Sequence, residues 1–385
     1  MRFSFFKKVL FTGLGTLAFL WAQGQATVTD PAYIRDFLRR VSAESGAPGV
    51  SAAVAVGGQL IFSDGIGYAD LDNLIPQTGK TVHNIGSVSK AEAVVAIMQL
   101  EEKGLLSLDD EIQKYLPYMP RKQKPVTIRH LLTHTSGIRH YATQDNEAFG
   151  TKRMRPYDTF EEATTLFRDD PLLFEPGAYY HYSSFACNLM HGIVEKVSGL
   201  DFEEYMKRHV WLPAGMLTSS FDVPARLVPH RGKGYVRAAN GILINAPYED
   251  VSYKYAGGGI ISTAEDMVKL GVALNRGLLL KPATLKKMTT PYFNKYEKAF
   301  RGTSNPTQVP QWQGLVWFVG QDQRGRSWYG HSGTVKGTRC FLINFPAEAV
   351  VVAIQANIGS IAIDEYALAL AQLILADLTP VSTSK

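Results

Sequence analysis

Strand-like segments fall only towards the two ends of this chain, and that separation dictates its architecture. Val50–Val56 and Leu60–Tyr68, joined through Gly57-Gly58, read as a hairpin. Leu315–Val319, Ser327–His331, Thr338–Phe345 and Val350–Gln355 read as four more strands near the other end. Between them the periodicity is helical, so one sheet must be assembled from both chain ends with a helical region inserted. The sheet region is expected over about residues 27–80 and 310–380, and the helical region over about 81–309, as one domain from 27 to 380. A first helix over Pro31–Ala43 carries Phe37, Leu38 and Val41 as its apolar stripe, with Pro31 in its first turn. A last helix spans Ile361–Leu378.

Residues 1–26 stand outside this plan. Arg2, Lys7 and Lys8 precede an apolar run from Val9 to Trp21 and then the small residues of A-Q-G-Q-A, the layout of a secretory signal peptide. The run is short for a membrane span, and no cysteine follows it to carry a lipid. A secreted or periplasmic protein without stable membrane insertion is therefore expected. The net charge of +5 owes three charges to this leader, leaving +2, which argues against nucleic acid as a partner. Cys187 lies in a helical pattern and Cys340 in a strand pattern, so two buried free thiols are expected rather than a bridge.

Chemistry concentrates at T-V-H-N-I-G-S-V-S-K, Thr81–Lys90. Ser87 and Lys90 lie one helical turn apart, and Ala91–Leu100, apolar nearly all round, continues as a buried helix closing near Gly104. The positive helix end and the apolar surround both disfavour a charged lysine, so Lys90 is a candidate base for Ser87. Tyr182 precedes Ser183-Ser184, caps of a helix with Leu189, Met190, Ile193, Val194 and Val197 as its stripe. There its phenol would serve as a relay or a phenolate, because helix end and lysine both favour the charged form. His130 and His134 are four apart, but no third ligand accompanies them, and a packed helix end running into Thr135-Ser136-Gly137 is the better reading. Asp109, Asp110 and Glu111 form a solvated face. Ala256–Asn275 passes from three glycines through a Ser262/Thr263 cap into a helix and implies no nucleotide. Lys281–Gln311, polar and rich in Gly and Pro, is expected to be surface structure. Neither a metal nor a cofactor is indicated.

S-x-x-K at Ser87, Y-S-S at Tyr182 and H-S-G at His331 follow in an order and spacing that resemble the serine β-lactamase and penicillin-binding-protein superfamily, in its class C β-lactamase-related branch. Leu131–Tyr141, Asp169–Gly177 and Ser252–Thr263 support the resemblance, which covers about residues 35–375. It implies an α/β fold of the α+β sandwich type: an antiparallel five-stranded sheet flanked by terminal helices, an all-helical region, and a groove between them. In such an enzyme Ser87 attacks a carbonyl to form an acyl-enzyme, Lys90 and Tyr182 share the proton work, and His331 lines the facing strand. The N–H groups of Ser87 and Thr334 would hold the oxyanion, and Ser184, Ser332 and Gly333 would contact a small-molecule or peptide substrate.

Two departures narrow the function. Ser184 stands where the family usually has an asparagine that holds an amide substrate. His331 stands where β-lactamases usually have a lysine that attracts the substrate carboxylate. The expectation is a serine hydrolase acting on an ester or peptide-like amide; a β-lactamase or D-alanyl-D-alanine carboxypeptidase and a catalytically silent binding protein on the same fold are the alternatives.

Overall fold

The computed structural model describes residues 29–141, 154–294, 299–300 and 311–378, so the leader expected at residues 1–26 lies outside the described residues. Among the described residues nine strands form the main sheet: β1 (Gly49–Val56), β2 (Gln59–Asp70), β3 (Ile75–Pro76), β4 (Phe293–Asn294), β5 (Gln311–Gln313), β6 (Phe318–Gln321), β7 (Ser327–Val335), β8 (Thr338–Phe345) and β9 (Val350–Ala356). Their order is β3-β2-β1-β9-β8-β7-β6-β5-β4, antiparallel throughout. Every neighbour is also a sequence neighbour except at one seam, where β1 pairs with β9 from Val50↔Ala356 to Val56↔Val350. The five expected strands are the long central ones, β2, β1, β9, β8 and β7; short strands at both edges widen the sheet to nine.

Both faces of the centre are covered, which explains the unbroken apolar runs of β1 and β9. On one face Val50, Ala52, Val54, Val350, Val352 and Ile354 meet α1 (Pro31–Ser45), through Ile34, Phe37, Leu38 and Val41, and a terminal helix over Ile363–Asp377. On the other, Ala53, Ala55, Leu342, Val351 and Ala353 join the core of the helical region. That core is built around α2 (Val88–Glu102), in which twelve residues are buried, against α3 (Ser184–Ser198) and α4 (Ala264–Asn275). Each fully buried Leu, Ile, Val or Phe contributes roughly 1.5–3 kcal/mol. Cys187 and Cys340 are buried and free, as expected. No helix among the described residues is long and apolar enough to cross a membrane.

One of these expectations needs correcting. Leu315–Trp317 is a buried turn, not a strand: the β5–β6 hairpin closes there, Val316 takes φ +67°, and its N–H donates to Leu132 O at 2.6 Å. An apolar run looks the same whether a strand or a tucked turn is buried. Within Lys281–Gln311, expected as surface structure, Pro282–Thr289 forms a surface helix, α5, with Lys281 at its N-cap position and Met288 as its one fully buried residue. One anchoring residue leaves too faint a period to read. Residues 301–310 lie outside the described residues.

Candidate active site

Ser87 occupies the N-cap of α2 with helical backbone angles, and its side chain makes no capping bond. Its Oγ instead accepts a hydrogen bond from Lys90 Nζ at 3.0 Å. Lys90 is fully buried, its Nζ also donates to Gly257 O, and it lies 5.1 Å from the centre of the Tyr182 ring. A Cβ on Gly257 would fall 1.8 Å from Oδ1 of Asn188, a buried side chain whose Nδ2 donates to Tyr253 O at 3.1 Å. Burial pulls the Lys90 pKa down to about 8, so the amine loses its proton at moderate pH and can then accept one from Ser87.

Tyr182 lies immediately before the Ser183 N-cap of α3, with its phenol close to the hydroxyls of Ser87 and Ser184. The expected phenolate is not what this setting favours. Burial holds the phenol well above its usual pKa, so the loss of water outweighs the helix end, and Tyr182 enters the site carrying its proton. Ser184 lies beside both Tyr182 and Tyr141.

Two histidines without an assigned role in the sequence hold this corner. His134 Nδ1 accepts from Ser183 N at 3.2 Å, and His140 Nδ1 accepts from Ser184 N at 3.0 Å. Their rings lie 4.4 and 5.5 Å from that of Tyr182. Burial, reinforced by the Lys90 charge, keeps both neutral, with His140 brought down to about 3. His130 instead caps its own helix, Ile128–Leu132, accepting from Thr127 N at 3.2 Å, so it does not share a face with His134. Beyond Tyr141, Lys254 and Glu249 form a buried ion pair at 2.6 Å.

Strand β7 faces this cluster. His331 is buried, stacks on Phe318 at 4.6 Å, donates from Nδ1 to Ser332 O at 2.6 Å, and lies 6.4 Å from Tyr182 between ring centres. Gly333 and Gly86 let two backbones touch. A Cβ on Gly333 would fall 1.8 Å from Ile85 O and 3.0 Å from Ser87 N, and one on Gly86 would fall 2.5 Å from Thr334 N. The two-residue turn Lys336-Gly337, both at positive φ, closes the β7–β8 hairpin between Val335 and Thr338. Bonded pairs alternate in such a ladder, so Thr334, paired with Arg339, directs its N–H away from β8 towards the start of α2. Among the described residues β6 pairs only as far as Gly330, so no strand pairs with residues 331–335 on the side away from β8. The arrangement thus offers a hydroxyl, a buried amine, a protonated phenol and two neighbouring amides, the parts required for acyl transfer.

Comparison with known proteins bears on the family and the fold. The Beta-lactamase family model matches residues 34–376. The bovine (Bos taurus) protein "Serine beta-lactamase-like protein LACTB, mitochondrial" is 30% identical over 88% of this chain and 78% of its own length. Among solved structures, the octameric penicillin-binding protein homologue from Pyrococcus abyssi superposes with a TM-score of 0.77 at 28% identity, covering 90% of this chain and 78% of that one. The penicillin-binding protein from Bacillus halodurans gives 0.72 at 26% identity, covering 89% of this chain and 100% of that one. The order of motifs, the sheet joined from both chain ends and these matches lead to one conclusion: the chain belongs to the Beta-lactamase family.

Proposed function

We propose that this protein is a serine hydrolase that forms an acyl-enzyme through Ser87 and hydrolyses an ester or a peptide-like amide. The observation that carries the reading is the 3.0 Å contact between Ser87 Oγ and a fully buried Lys90 whose pKa burial lowers to about 8. Neutral Lys90 takes the Ser87 proton as Oγ adds to the carbonyl carbon. The oxyanion is met by the amides of Ser87 and Thr334, and the protonated Tyr182 supplies the leaving group's proton. Water then attacks the acyl carbon while the Tyr182 oxygen takes its proton, and Lys90 returns a proton to Ser87 as the bond from the acyl carbon to Oγ breaks. A peptide-like substrate has a place to lie, because residues 331–335, with no strand paired on that side among the described residues, can pair with an extended chain. With His331 in place of a lysine, rapid turnover of β-lactams is not expected.

The exported location belongs to the same proposal, resting on the leader at residues 1–26; the intact mass of protein recovered from its native cells tests it. For the chemistry, wild type and Ser87→Ala are treated with a fluorophosphonate, a penicillin and p-nitrophenyl acetate. Intact mass and p-nitrophenol release are then measured. Adducts and turnover that vanish in Ser87→Ala support the reading, and equal behaviour of the two proteins overturns it.

A further inference from the structure

We propose that Asp222 is a positioning residue for the oxyanion hole, its buried carboxylate tying the strand that leads into Ser87 to the hairpin end that carries Thr334. The inference rests on the reading of Ser87 as nucleophile. Asp222 is 1% exposed, and its Oδ2 accepts from Asn84 Nδ2 and from Lys336 Nζ, both at 2.8 Å. Oδ1 accepts from Arg231, whose neighbours His230 and Gly232 flank Val82 through backbone bonds. Asp222 is itself anchored, because its N–H donates to Gly259 O at 2.9 Å beside the Phe221↔Ile260 pair.

Where the two partners sit gives the carboxylate its importance. Asn84 is three residues before Ser87, in the short strand His83–Asn84, and Lys336 is two residues beyond Thr334 at the hairpin turn. Ser87 N and Thr334 N belong to different halves of the molecule, so their spacing depends on what joins the segments behind them. A second tie runs parallel to the first, as Thr338 Oγ1 donates to the Asn84 carbonyl at 2.8 Å. Asn84 is thus gripped by its side chain through Asp222 and by its backbone through Thr338. One carboxylate satisfies three donors here. An asparagine would offer a single acceptor oxygen and turn its NH2 on one of them, freeing the hairpin end without emptying the site.

The test compares wild type, Asp222→Asn, Lys336→Met and Ser87→Ala, each checked for folding by thermal melting. Stopped-flow release of p-nitrophenol from p-nitrophenyl acetate gives the acylation rate constant and its saturation constant. Asp222→Asn should lower the rate constant about 10- to 100-fold with saturation within about twofold, the pattern of a loss felt only in the transition state. An O-aryl thionoester supplies the reading that mere loss of rigidity elsewhere would not move. Sulfur is a poor acceptor, so an aligned hole favours the oxo-ester, and the oxo-to-thiono rate ratio should fall about tenfold in the variant. Lys336→Met should shift the ratio in the same direction and carries the test alone if Asp222→Asn does not fold. A wild-type ratio in folded variants whose turnover depends on Ser87 overturns the inference while leaving the nucleophile standing. Turnover that survives Ser87→Ala overturns both.

Discussion

The contact between Gly333 and the segment ahead of Ser87 allows a substitution to be worked through. In Gly333→Ala the new Cβ starts 1.8 Å from Ile85 O, a backbone atom that cannot swing aside. A tolerable contact begins near 3.0 Å, so β7 and the 85–87 segment must part by about 1.2 Å. Thr334 follows Gly333 directly, and the same shift draws its N–H away from that of Ser87. A misplacement of about 1 Å costs on the order of 100-fold in rate, and complete loss of one oxyanion donor about 100- to 1,000-fold. Overpacking of this kind lowers stability by about 1–3 kcal/mol. The expected outcome is a folded protein, verified by circular dichroism and thermal melting, whose acylation burst with p-nitrophenyl acetate is about 100-fold slower. A folded Gly333→Ala that acylates at the wild-type rate would falsify the assignment of these two backbones to the oxyanion site.

Three further outcomes follow from the buried groups. The rate of acylation should rise with pH through a midpoint near 8 as Lys90 loses its proton, and Lys90→Arg should remove that limb and about 100-fold or more of the rate; a flat wild-type profile from pH 6 to 9 argues against lysine as the base. Glu92, fully buried and accepting from Trp211 Nε1 at 2.7 Å, is pushed up to about 8 by burial. Because the folded state holds its proton more tightly than the unfolded chain, the stability it brings is complete below about pH 4.5 and is lost as pH rises through 8. Urea titrations should therefore show Glu92→Gln gaining on wild type by about 1.4 kcal/mol per pH unit between pH 5 and 8, and parallel stability curves would refute this. Gly257→Ala should displace the carbonyl that Lys90 Nζ meets and slow acylation at least tenfold at pH 7, as measured by labelling rate with a fluorophosphonate.

What could be read from the residues alone was what is local. Ser87 and Lys90 are one turn apart in any helix, and the Gly57-Gly58 hairpin and the stripe of α1 repeat at the period of their elements. Tyr182 was legible as a residue just ahead of a helix start, and the motif order added His331 on the strength of resemblance. Features that depend on contacts across the sequence did not show. His134 and His140 reach Tyr182 only because the turn after Leu132 folds over the start of α3. Nothing near Lys90 in the sequence names Gly257 O as its partner. The protonation of Tyr182 was misjudged for the same reason: a helix end is visible in a sequence, whereas the depth of burial that overrules it is a property of the assembled core. The apolar turn at Leu315–Trp317 and the faint helix α5 fell to ambiguity of pattern rather than to distance.

The seam between β1 and β9 sets when this protein becomes a protein. Val50 and Ala356 are neighbours in space and about 300 positions apart in sequence, so β1 waits with one edge unpaired until nearly the whole polypeptide has emerged. Closure over such a span gives little local reward on the way and favours late, slow assembly. During that wait the unsatisfied edge of β1, with Val50, Val54 and the alanines between them, is a template for any other extended chain. Synthesis that stops before Val350 therefore yields a species that cannot complete its centre and keeps that edge exposed.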